Sequence, residues 1–219
     1  KVIQLKKNAD SLRKEALGVN KIIWKSILAT LVATLLLCSA AVFACVCFFP
    51  PTVMELSYNV GWDRTAMRYA EKSYERFGES YYAAFAMEIA VSEGMDEETE
   101  KYAAALVDCK DFKEFCLNGG ISGEGFGTYR QYAYSTLCLA KYRLGKGEEA
   151  VEIAAESLNG EFPPNNSLAA VYLYALKDGE TGVAEKAKEK LSAIDETKLS
   201  SEADRTYLSK IKNLAAAEG

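Results

Sequence analysis

Two stretches of the sequence share one spacing: LGKGEEAVEIAAESL at residues 144–158 and DGETGVAEKAKEKL at residues 178–191. In each stretch a glycine precedes an alanine by five residues, and the second glycine follows the first by 34 residues. The apolar residues around them recur at the three- and four-residue steps of an amphipathic helix. This spacing predicts helical hairpins that repeat along the chain.

The same step occurs upstream, where Gly61 precedes Ala66 by five residues and Gly94 follows Gly61 by 33. No run of alternating β-branched residues follows Phe49, so we predict an all-α fold. Helices joined by short connections are typically antiparallel neighbours. Small residues such as Ala150 beside a turn would allow two helix backbones to approach closely.

Residues 131–164 resemble the tetratricopeptide (TPR) repeat. The matching positions, from the large aromatic through the turn glycine to the first alanine, are Tyr134, Leu137, Cys138, Gly145 and Ala150. The chain departs from the family pattern at four positions. Lys141 stands where the pattern has tyrosine, Ala154 where it has a large apolar residue and Ser157 where it has the second alanine, and the expected proline comes one place late, at Pro163. The resemblance implies a TPR-like antiparallel helical-hairpin solenoid over residues 61–219, with a capping helix at 200–216. An irregular array of helical hairpins is the alternative.

In TPR proteins the first helix of each hairpin lines a concave, protein-binding groove. The resemblance therefore implies a set of groove residues here, in which Tyr and Arg are favoured anchors. These residues are Tyr81, Glu88, Tyr132, Ser135, Leu139, Tyr142, Arg143, Leu173 and Lys177. Ser135 and Leu139 do not fit the family's clamp for peptide carboxylates, so that specificity is not carried over.

A segment without charge runs from Ile27 to Phe49, within an apolar stretch over residues 23–49. A helix over the 23 uncharged residues would be about 35 Å long, which is enough to cross a bilayer core. The stretch is too long for the apolar part of a usual signal peptide. It therefore predicts one transmembrane helix at 23–49, which Pro50-Pro51 would end, followed by a linker at 50–60.

Charge is divided unevenly about this segment. Residues 1–49 hold seven bases and two acids, a net charge of +5, whereas residues 50–219 hold nineteen bases and twenty-nine acids, a net charge of −10. The positive-inside rule predicts a cytoplasmic basic juxtamembrane segment at 1–22 and an extracytoplasmic C-terminal domain. The acidic domain argues against nucleic acid as a partner.

The juxtamembrane segment carries a heptad-like apolar stripe over residues 5–23. The preferred interpretation is a basic amphipathic helix on anionic lipid head groups, and the alternative is a short coil that forms a homodimer. Because the chain begins with Lys1 and not Met, we expect a fragment with a cytoplasmic portion before it.

The composition excludes several chemistries. The chain contains no His, so His-metal sites and Ser/His/Asp or Cys/His catalysis are excluded. The Gly-rich stretch at 118–127 lacks the third glycine of GxGxxG and is interpreted as an insertion, whose rim could move over a groove. Pairing among Cys109, Cys116 and Cys138 is left open. We expect no cofactor, no metal and no catalysis.

These features predict a membrane-anchored, non-catalytic adaptor or scaffold that binds a protein or peptide. Its architecture is similar to that of accessory proteins in envelope assembly or secretion. The first alternative is a transmembrane sensor whose cytoplasmic effector precedes Lys1. The second is an envelope hydrolase that uses carboxylates, with Glu88 among the candidate acids.

Overall fold

The computed structural model describes residues 2–121, 128–157, 167–195, 197 and 202–217. The described residues form eleven α-helices and no strand, which confirms the all-α prediction. In chain order, α1 to α11 run over Val2–Phe48, Pro50–Asn59, Asp63–Phe77, Ser80–Ser92, Asp96–Val107, Phe112–Leu117, Thr128–Arg143, Gly147–Ser157, Ser167–Asp178, Thr181–Ser192 and Glu202–Ala217. The larger part of the Gly-rich insertion, 122–127, and the first two residues of the predicted cap, 200–201, lie outside the described residues.

The chain divides into two compact units, Lys1–Thr52 and Val53–Gly219. In the first unit, Ile23–Phe48 has a mean hydropathy of 2.6 and is long and apolar enough to cross a membrane. Both threonine hydroxyls bond within the helix, since Thr30 donates to the Ser26 carbonyl and Thr34 to the Thr30 carbonyl, both at 2.9 Å. Such internal pairing suits an environment without water. The side chains of the stripe at residues 5–22 lie outside the described part of the chain.

The segment at 50–60, expected to be a linker, is largely the helix α2. Helix α1 ends at Phe48 as the two prolines predict, but Pro50 then occupies the first position of a new helix. Proline suits that position because its missing N–H has no intrahelical partner there. Met54 is fully buried in the core of the second unit, so the segment from Val53 onward belongs to that folded unit.

Four connections between helices have the same turn. Gly61, Gly94, Gly145 and Gly179 have φ between 67° and 76°, a left-handed conformation that glycine adopts without a steric penalty. At Gly145 the glycine N–H donates to the Tyr142 carbonyl, 3.0 Å away, and the next N–H donates five residues back. The other three glycines repeat this pair of bonds, which is the Schellman ending of a helix. The pattern explains why the glycine spacing marks the hairpins.

The core of the second unit consists of two clusters of buried side chains that share helix α7. Ala133 and Leu137 of α7 belong to the cluster formed by α2 to α7, and Cys138 belongs to the cluster formed by α7 to α11. Most consecutive helices from α3 onward pack against each other, and α5 also packs against α7, α7 against α9 and α8 against α10. Ala150 is fully buried and Ala184 is nearly so, as expected for small residues between close helices.

Lys141, a departure from the TPR pattern, has a structural explanation. Its ammonium lies 2.9 Å from Oε1 of Glu100 in α5 and 2.7 Å from Oε2 of Glu149 in α8. Lys146, beside the turn glycine, also reaches Glu100, at 2.6 Å. The lysine therefore joins α5, α7 and α8 through ion pairs.

Helix α11 covers most of the stretch predicted to be a cap, and it packs against α10. Leu208, Ile211 and Ala215 are buried, whereas Leu214 is 52% exposed. The steps of three and four residues between the buried side chains follow the helical period. Cys109, Cys116 and Cys138 are free thiols in this structure.

Candidate functional site

A cavity of about 650 Å³ lies within the second unit, among α2, the start of α3, α4 and α7. This volume is in the range of pockets that hold small molecules or peptide side chains. Its lining is mainly aromatic and aliphatic, with two carboxylates. The lining residues are Tyr58, Asp63, Phe85, Glu88, Ile89, Val91, Ser92, Ile121 and Tyr132.

The aromatic part of the lining has a defined geometry. The rings of Tyr58 and Phe85 are 5.0 Å apart between centroids and meet edge to face at 70°. The Tyr132 ring, which also belongs to the lining, lies 5.7 Å from the buried Tyr129 ring between centroids. Tyr58 and Tyr132 remain 52% and 38% exposed, so their rings are accessible to a ligand.

Glu88 is the carboxylate that the packing holds most firmly. Its Oε1 accepts a hydrogen bond of 2.8 Å from the hydroxyl of Tyr129, which is buried. Burial raises the pKa of Glu88 above its usual 4.5, although the Tyr129 hydrogen bond opposes this shift. Burial, and then the nearby Glu88, raise the pKa of Tyr129, so this hydroxyl stays protonated and acts as the donor.

The first residues of the Gly-rich stretch support this arrangement. Gly120 has φ of 63°, and a Cβ placed on it would overlap the Tyr129 ring. Ile121, the next residue, lines the cavity. The glycine is therefore needed twice, for its left-handed conformation and for the close approach of the ring that positions Glu88.

Of the nine predicted groove residues, Glu88 and Tyr132 line the cavity, and Tyr81 packs 6.2 Å from the Phe85 ring. Four others lie in contacts with neighbouring helices. The Ser135 hydroxyl is 3.0 Å from that of Ser167, Tyr142 donates to Asp178, Arg143 pairs with Asp96, and Leu173 packs against the second core cluster. Leu139 is half-buried and Lys177 is exposed.

The sequence analysis did not name several residues of this cavity. Tyr58 was assigned to a linker, although extending the hairpin register back from Gly61 would have placed it on a first helix. Phe85, Asp63 and Ile121 carry no local signal that separates them from other residues of their segments. Tyr129 meets Glu88 across 41 residues, and nothing in either segment indicates that pairing.

The described residues contain no group of three or more His, Cys, Asp or Glu side chains arranged to hold a metal ion. The polar groups of the cavity lining are two carboxylates, two tyrosine hydroxyls and the Ser92 hydroxyl. This set can accept or donate hydrogen bonds and can attract positive charge.

A comparison with known proteins found no family model, no curated protein and no solved structure that matches this chain.

Proposed function

We propose that this protein is a membrane-anchored binding module, in which α2 to α11 form a TPR-like stack of hairpins that binds a protein or peptide segment. Four identical glycine turns support the stack, as do the additional contacts of α7 with α9 and of α8 with α10. The cavity between Tyr58 and Tyr132 is the observation that carries the binding role. Accessible tyrosines around a concave site are typical anchors in protein interfaces.

The apolar helix at Ile23–Phe48 is the proposed anchor. The excess of bases before it and the net charge of −10 after it favour a cytoplasmic N-terminus and an extracytoplasmic binding domain. A protease added to intact cells that express the chain with a C-terminal tag should then remove the tag, while a cytoplasmic marker stays whole. A tag that is cleaved only after lysis would reverse the proposed orientation.

Site-specific crosslinking tests the binding role. A photoreactive residue at Tyr132 should give a discrete adduct with another protein in intact cells, and the same residue at Leu214, which is exposed on α11, serves as the control position. Ser92→Trp, which would fill the cavity, should abolish the adduct, whereas Ser92→Ala should keep it. Crosslinks to lipid or to the chain itself alone would contradict the proposal.

One observation favours a second candidate function, that of a carboxylate-dependent hydrolase. Glu88 has a raised pKa and shares its cavity with Asp63, and a pair of carboxyl groups in one cleft is the usual equipment of a glycosidase. The test is release of reducing sugar ends from a cell-wall extract by the wild-type chain. If no turnover is found with wild type, this candidate is rejected.

A further inference from the structure

The cavity is negatively charged as well as aromatic. Its lining contains Asp63 and Glu88 and no Lys or Arg. In the part of the chain that the structure describes, neither carboxylate forms an ion pair, and Glu88 accepts a hydrogen bond from Tyr129. The surrounding unit is acidic too, with a net charge of −10 over residues 50–219. A ligand that carries positive charge would therefore complement this cavity.

The rings suit the same ligand. An aromatic face attracts a cation that lies within about 6 Å of the ring centre, and the attraction grows when water is excluded. The nearly perpendicular rings of Tyr58 and Phe85 form one wall, and Tyr132 lines the same cavity. The protein already contains such contacts elsewhere, since the Arg130 guanidinium lies 4.8 Å from the Tyr134 ring centre.

We propose that the cavity takes the side chain of a Lys or Arg residue of the bound peptide, whose cationic group lies against Tyr58, Phe85 and Tyr132 and is neutralised by Glu88 and Asp63. This inference rests on the proposed function and names the chemistry of its ligand. The stem of a Lys or Arg side chain is apolar, which suits Ile89, Val91 and Ile121. The cavity is larger than one side chain and leaves room for its neighbours in the peptide.

A choline head group is also cationic, but it is a poorer match. Phosphocholine carries a phosphate next to the ammonium, and this anion would approach two carboxylates in an acidic unit. The repulsion would offset part of the attraction between the rings and the ammonium. A basic peptide side chain brings positive charge alone, so the inference commits to the peptide.

The test uses the full chain in maltoside micelles and short fluorescent peptides capped at both ends. Four peptide libraries share random flanking positions and differ in a central Arg, Lys, citrulline or norleucine. Anisotropy should show that the Arg and Lys libraries bind about ten-fold more tightly than the citrulline and norleucine libraries. Citrulline is the sharpest comparison because it retains the shape of Arg and lacks its charge.

Variants of the chain assign the preference to the cavity. Glu88→Gln and Asp63→Asn should each reduce Arg-library affinity several-fold and leave citrulline-library affinity unchanged, while the exposed Glu180→Gln is the control. Circular dichroism of each variant checks that it is folded, and the two cavity variants provide independent tests.

The outcomes separate the two proposals. If the Arg and citrulline libraries bind equally well, or if both folded cavity variants keep the preference for Arg, the cation inference is overturned and the binding module stands. If no library binds, both fail. Displacement of the Arg library by free phosphocholine at concentrations where free arginine amide has no effect would assign the cavity to a lipid head group and overturn the peptide inference.

Discussion

The hydroxyl of Tyr129 donates a hydrogen bond of 2.8 Å to Oε1 of Glu88 and so joins α7 to α4 across 41 residues of sequence. The bond connects the first described hairpin after the Gly-rich stretch to the helix that supplies most of the cavity lining. It also holds the Glu88 carboxylate beside apolar side chains. The stability of the domain and the geometry of its cavity are therefore linked at this pair.

Replacing Tyr129 with Phe should destabilise the domain by about 2 kcal/mol, since it leaves a half-buried carboxylate without its donor. Tyr142→Phe is the matched control, because it removes a similar bond of 3.0 Å between a hydroxyl and the exposed Asp178. Urea unfolding of the full chain in micelles, followed by circular dichroism, measures both. Equal losses in the two variants would show that the Tyr129 bond has no special role.

The raised pKa of Glu88 should make the stability of the domain depend on pH. Its pKa in the folded protein lies above the usual 4.5, so between these two values the folded state binds more protons than the unfolded state. The contribution of Glu88 to stability is therefore fully present below pH 4.5 and decreases as the pH rises through the raised pKa. The free energy of unfolding of Glu88→Gln should increase relative to wild type over that window. A difference that is flat or opposite in sign would contradict the shift.

Glu100 should show the opposite dependence. Burial tends to raise its pKa, but hydrogen bonds from Lys146 and Lys141 outweigh burial and hold the pKa below 4.5. Its stabilising contribution is thus present above pH 4.5 and is lost as the pH falls through the lowered folded value.

Glu100→Gln should therefore destabilise the domain by about 1–2 kcal/mol at neutral pH, and this difference should shrink in acid. The control is Glu152→Gln, which removes exposed ion pairs with Lys186 and Lys190 and should have a much smaller effect. Thermal unfolding at two pH values compares the variants. A larger loss for Glu152→Gln would contradict the assigned role of Glu100.

A substitution at Gly147 tests the packing between α8 and α10. A Cβ at this buried glycine would lie 2.7 Å from a methyl carbon of Val183, and the β-branched side chain has little freedom to move away. Gly147→Ala should cost about 1–3 kcal/mol through overpacking. In the Val183→Ala background the same change should be neutral or stabilising, because alanine favours helix over glycine. A double-mutant cycle on melting curves that shows simple additivity would count against this contact.

Short-range patterns in the chain were sufficient for several features. The uncharged segment before Pro50 predicted a helix that could cross a membrane, and the described structure contains one. The glycine spacing predicted the turns at Gly61, Gly94, Gly145 and Gly179, and all four have the same geometry.

Other features could not be predicted from short-range patterns in the sequence. The helix at Pro50–Asn59 was mistaken for a linker, because a proline pair that ends one helix equally begins the next. In the sequence Lys141 was only a departure from the TPR pattern, because its partners Glu100 and Glu149 lie on other helices.

Helix class, the apolar span and the turn glycines follow from residues that are neighbours in the chain, since backbone conformation and helical period are local properties. The cavity, the Tyr129–Glu88 bond and the fit of Gly147 against Val183 depend on which helix faces meet. Which faces contact each other depends on packing between side chains 36 to 41 residues apart in the sequence, and the local sequence does not indicate that packing.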